Sequence, residues 1–89
     1  MVRRSITIIN KLGLHARAAA KLVATASEYE STVQISRKNK QVDAKSIMPV
    51  MMLAASQGME VELIAEGHDE ADAVDAVAAL IEDYFGEGE

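Results

Sequence analysis

The chain has no cysteine. Disulfides, thiol nucleophiles, most structural zinc sites and redox function are thereby excluded, and a reducing cytoplasm is the compartment that fits. No apolar stretch of signal-peptide length follows the basic start "MVRRSITI", and the longest apolar run, "IMPVMMLAA", is far too short to span a bilayer. A soluble cytoplasmic protein without membrane insertion is expected. Aromatic residues are limited to Tyr29, Tyr84 and Phe85, and the net charge is −5. Nucleic-acid binders need basic surface and often stacking aromatics, so no nucleic-acid partner is expected. There is no Gly-rich nucleotide loop, internal repeat or Pro/Gly-rich linker, and little volume for a substrate cleft. A stand-alone catalyst is not expected, and no cofactor or metal is implied.

Basic residues are also missing from half of the chain. All nine Lys and Arg lie within residues 1–45 beside only Glu28, Glu30 and Asp43, a net of +6. Residues 46–89 hold eleven acids and no base, a net of −11. Such asymmetry signals either a basic face opposite an acidic one or two halves that interleave in space.

What is present is the pattern of one small α+β domain over residues 1–89. Ile6 and Ile8 alternate with Ser5 and Thr7, predicting a strand over about 2–9. "NKLG" reads as a loop. Ala19, Leu22, Val23 and Ala26 mark the apolar face of a helix from Ala16 to about 27. "TVQIS" predicts a strand with Val33 and Ile35 inward, and "RKNK" supplies an asparagine for a tight turn into a short strand at 41–43.

Ser46 suits the N-cap of a short helix over about 47–56, with Gly58 as its terminator and Val50, Leu53 and Ala54 toward the core. "EVELIAE" predicts a fourth strand with Val61, Leu63 and Ala65 on one face and acids on the other. Asp69 reads as the cap of a last helix whose stripe is Val74, Val77, Ala78, Ile81 and Phe85, ended by Gly86. The order is βαββαβα: a four-stranded, mainly antiparallel sheet with three helices on one face.

The stretch "KLGLHARAAAK" puts His15 where a helix begins. The first N–H groups of a helix lack internal partners, and histidine caps poorly, so Ala16 and Arg17 are expected to offer open amides. Together with the helix dipole and the Arg17 guanidinium, they favour an anion. The dipole and Arg17 also disfavour a charged ring, which keeps a neutral, nucleophilic imidazole available near pH 7. A phosphoryl group on that ring would fill the opening. From spacing alone, His15 reads either as this nucleophile or as a loop histidine that merely begins a helix.

"INKLGLHARAAAK" and, thirty residues on, "DAKSIMPVMMLAASQG" resemble the histidine-containing phosphocarrier (HPr) family of the bacterial phosphoenolpyruvate-dependent phosphotransferase system. The likeness covers essentially the whole chain. It implies an open-faced β-sandwich, and phosphate taken on Nδ1 of His15 from phosphorylated enzyme I. It also implies transfer to a histidine or cysteine of enzyme IIA or a related acceptor. Arg17 matches the arginine that holds the phosphate, and Ser46 a serine that HPr kinase/phosphorylase modifies in some branches. The family motif continues His-x-Arg-Pro, whereas this chain has Ala18, an excellent helix former that should preserve the chemistry. The departure leaves open the sugar-uptake branch and its nitrogen-related regulatory paralogue.

Capping a helix would by itself explain Ser46. Met48, Met51 and Met52 fall largely on the outer side of the short helix with Ile47 at its edge. They read either as an adaptable docking surface or as filling for core gaps or a homodimer contact. The chain is otherwise expected to be a monomer. Lys11, Arg17, Lys21 and Lys45 would ring His15 and steer acidic partners, or are ordinary solvated charges. His68 reads as an exposed turn residue, and the acids of the last helix as a solvated face.

Overall fold

A computed structural model describes residues 1–88. The elements run β1 (Val2–Thr7), α1 (Ala16–Ala26), β2 (Thr32–Arg37), β3 (Lys40–Asp43), α2 (Ile47–Met52), β4 (Glu60–Glu66) and α3 (Glu70–Glu82), followed by a single 3₁₀ turn, Tyr84–Gly86. One antiparallel sheet has the order β1-β4-β2-β3. Val2 and Val33 flank Ala65, and Ile35 pairs with Leu63, so inward residues align across three strands. The three helices cover this face and leave the other open, giving the expected open-faced βαββαβα sandwich.

Period-2 alternation sends Val33, Ile35, Val61, Leu63 and Ala65 into the core, where they meet Ala18, Ala19, Leu22 and Ala26 of α1 and Ala73, Val74, Val77, Ala78 and Ile81 of α3. Alanine-rich helix faces let both helices lie close to the sheet. Ile64, on the open face, is nonetheless 96% covered, because a residue on a central strand is walled in by cross-strand neighbours, here Arg3 and Gln34.

Several expectations about element ends are corrected. Helix α2 stops at Met52 rather than near 56, and Gly58 does not end it. Ala54 takes left-handed backbone (φ +53°) and is exposed, while Leu53 and Ala55 on either side are buried. Burial of both neighbours offsets the roughly 1 kcal/mol such a conformation costs a residue with a Cβ. The last carbonyls of α2 are met by cations of the β2–β3 hairpin: Arg37 Nη1 donates to Leu53 O at 3.0 Å and Lys40 Nζ to Met52 O at 3.3 Å. In that hairpin the left-handed position falls on Lys38 (φ +56°), not on Asn39.

Asp69 stands at the N-cap of α3 but makes no side-chain cap hydrogen bond. Its carboxylate accepts from Ser31 Oγ, from Ser31 N at 2.9 Å and from Glu30 N at 3.0 Å. Helix α3 ends at Glu82, before Gly86, and Phe85 is buried from the turn that follows, not from the helical stripe. The two charge halves interleave, as Arg3 pairs with Glu62 at 3.0 Å and Arg4 with Asp75 at 3.5 Å.

Candidate functional site

The site begins with a loop whose path is fixed by contact. Leu14 N donates to Ala55 O at 2.9 Å, and Gly13 has φ +68° with an ideal Cβ position only 2.6 Å from that same oxygen. No side chain fits there, so glycine is required. The loop delivers His15 in extended backbone (φ −74°, ψ 177°) to the first turn of α1, where its carbonyl takes the Ala19 N–H at 2.8 Å.

The expected pair of open amides is half correct. Arg17 N donates to His15 Nδ1 at 3.3 Å, so the ring caps its own helix through a long, weak bond. Extended backbone at the cap aims the ring back at the first turn, a geometry the poor capping record of histidine does not disclose. No acid lies in this turn, and among the described residues no ion pair engages the Arg17 guanidinium. The ring is 27% exposed, and so stands open to a partner.

Its other nitrogen meets a residue that sequence reasoning missed. His15 Nε2 pairs with Glu87 Oε2, while Glu87 Oε1 accepts from Asn10 Nδ2 at 3.1 Å. Asn10 is fully buried, and its Nδ2 also donates to Gly13 O at 2.8 Å. Among the described residues its Oδ1 has no partner, and turning the amide over would set an oxygen against two acceptors. Partial burial pushes the Glu87 carboxyl up, but the hydrogen bonds from His15 and Asn10 outweigh it and the net displacement is downward. A carboxylate 72 residues from the histidine gives no local spacing signal.

A cleft of about 660 Å³ opens over this cluster, lined by Lys11, Leu12, His15, Ala16, Arg17, Lys21, Gly86 and Glu87. Three of the four expected cations therefore gather at His15. Lys45 does not, since its Nζ donates to Tyr29 O at 2.7 Å, and Lys21 Nζ also serves the fold through Phe85 O at 2.6 Å.

Ser46 occupies the N-cap of α2 but makes no side-chain cap hydrogen bond, so capping does not account for its hydroxyl. Met48 and Met52 are 68% and 62% exposed and Ile47 43%, whereas Met51 packs partly against the core; Leu12, 68% exposed, lines the cleft. His68 is exposed and pairs with Glu30 at 2.9 Å. Among the described residues no three His, Asp or Glu side chains cluster to hold a metal ion, and no helix is long and apolar enough to cross a membrane.

The family described as the PTS HPr component phosphorylation site matches residues 2–83. The chain belongs to the HPr family of the phosphotransferase system. Phosphocarrier protein HPr of Cupriavidus necator is 60% identical over 89 residues, all of both chains. That of Neisseria meningitidis is 53% identical, again over all of both chains. Among solved structures, HPr-C-His from Thermoanaerobacter tengcongensis superposes with a TM-score of 0.94 at 52% identity, over 98% of each chain. An HPr dimer from the same organism gives 0.79 at 52% identity, over 98% of this chain and 100% of that one. HPr membership accounts for the open sandwich.

Proposed function

We propose that His15 carries the phosphoryl group, accepting it on Nδ1 from phosphorylated enzyme I and passing it to enzyme IIA or a related acceptor. The reading rests on one observation above others: Nδ1 accepts from the Arg17 amide in the first turn of α1, on an accessible ring. An N–H donated to Nδ1 requires a lone pair there, so the nucleophilic nitrogen is the one aimed at the helix start. As Nδ1 bonds to phosphorus, the donor's bond to phosphorus breaks and its electron pair leaves with the donor. The new oxygens then take over the N–H groups of Ala16 and Arg17, favoured by the helix dipole, with the Arg17 guanidinium as counter-charge.

The exposed Ile47, Met48 and Met52 side chains of α2 provide an adaptable apolar surface for these partners. Phosphorylation of Ser46 by HPr kinase/phosphorylase would add about two negative charges there and weaken docking. The carrier is proposed to work as a cytoplasmic monomer, although a similar protein has been solved as a dimer.

Incubation with phosphoenolpyruvate and enzyme I of either the sugar or the nitrogen branch, followed by mass-spectrometric mapping, tests the reading. Acid-labile phosphate on His15 is expected, with the faster enzyme I naming the branch. Phosphate elsewhere, or none with either enzyme, refutes it.

A further inference from the structure

The family match ends at residue 83, and beyond it the chain turns back on itself. Tyr84 and Phe85 take left-handed backbone in succession (φ +56° and +53°), followed by Gly86 at +74°. Two such residues with side chains in a row are unfavourable and persist only when their surroundings impose them. Here the fully buried Phe85 ring and the bond from Lys21 Nζ to Phe85 O supply that constraint. The turn carries Glu87 onto His15.

We propose that Glu87 is a positioning residue for the carrier histidine, an inference that rests on His15 being the phosphoryl acceptor. Glu87 Oε2 is the partner of His15 Nε2, and its other oxygen is held by Asn10, itself fixed by burial and by Gly13 O. With Arg17 N donating to Nδ1 and a carboxylate accepting at Nε2, the ring hydrogen belongs on Nε2 and the lone pair on Nδ1. A carboxylate–imidazole pair of this kind fixes both ring orientation and tautomer.

It also balances charge. When Nδ1 bonds to phosphorus while Nε2 keeps its hydrogen, the ring becomes positive. When the group leaves, the P–N electron pair returns to Nδ1 and the ring is neutral again. Glu87 faces the ring throughout both steps, with Lys21 and the Asn10 amide as its own neighbours.

The test compares wild type, Glu87→Gln and Glu87→Ala by proton NMR of the unphosphorylated proteins and by steady-state phosphoryl transfer from enzyme I. Wild type is expected to show a low-field His15 Nε2–H resonance protected from exchange, lost in both variants. kcat is expected to fall about tenfold with KM for the carrier unchanged. Absence of the protected resonance in wild type, unchanged kcat in the variants, or a rise in KM alone, which marks docking, would each overturn the proposal. Failure of wild type to take phosphate on His15 would instead sink the carrier reading, and the resonance still decides whether Glu87 holds the ring.

Discussion

The two long helices of this protein start in opposite ways. Helix α1 begins with a histidine, has no acid in its first turn, and caps itself only through a 3.3 Å bond from Arg17 N to the His15 ring. Helix α3 begins with Asp69 and carries Glu70 and Asp72 in its first turn. There Glu70 Oε1 takes the Gly67 N–H at 3.1 Å, and Asp69 ties down Glu30 and Ser31. Negative charge faces the dipole at one helix start, while the other presents a weakly held amide, an open ring and a guanidinium that no ion pair engages among the described residues. The sign of the first turn thus distinguishes the α3 start from the α1 start, where we propose that the phosphoryl group is carried.

If that contrast is right, changes at α1 should alter transfer with little effect on stability, and changes at α3 the reverse. The largest effect is expected for His15→Ala, which should abolish acid-labile phosphate acceptance from enzyme I while the circular dichroism spectrum is unchanged; retained acceptance would break the contrast. Arg17→Ala should slow transfer about 100-fold with an unaltered melting temperature, read by stopped reactions with labelled phosphoenolpyruvate. Met48→Glu brings an acid to the exposed surface of α2, and a Kd for enzyme I raised about tenfold is expected by calorimetry.

The smallest effect lies at the other helix start. Hydrogen bonds from Ser31 and the Glu30 amide lower the Asp69 pKa from 3.8 to about 2. Because the folded value lies below the unfolded one, the stabilisation is complete above about pH 4 and is lost as pH falls toward 2. Asp69→Asn should therefore flatten the acid limb of the melting curve between pH 4 and 2, leaving phosphoryl transfer untouched. An acid limb identical to wild type would remove Asp69 from its proposed structural role.

Most of the architecture was legible in the sequence because both of its periodicities are strong. Alternation of Val61, Leu63 and Ala65 and helical spacing of Val74, Val77, Ala78 and Ile81 each admit one inward face. Element ends were less legible. Gly58 looked like a terminator, but α2 stops where Leu53 and Ala55 are both pulled into the core, and its carbonyls are met by Arg37 and Lys40 from a different element. Asp69 looked like a cap, but Ser31 and Glu30 compete for the same carboxylate and win. At the site, His15, Ala16 and Arg17 are consecutive and could be read together, whereas Glu87 and Asn10 reach the ring only through the fold.

The sequence by itself determined the strand and helix pattern, the helix start at His15 and the concentration of basic residues near it, because these depend on neighbours a few positions apart. Tertiary structure alone decided which partner meets Nε2 of the ring, where α2 ends and what Asp69 holds. Each of those outcomes is a competition for a hydrogen-bonding group between partners distant along the chain, and only the packed core sets which partner arrives within 3 Å or so.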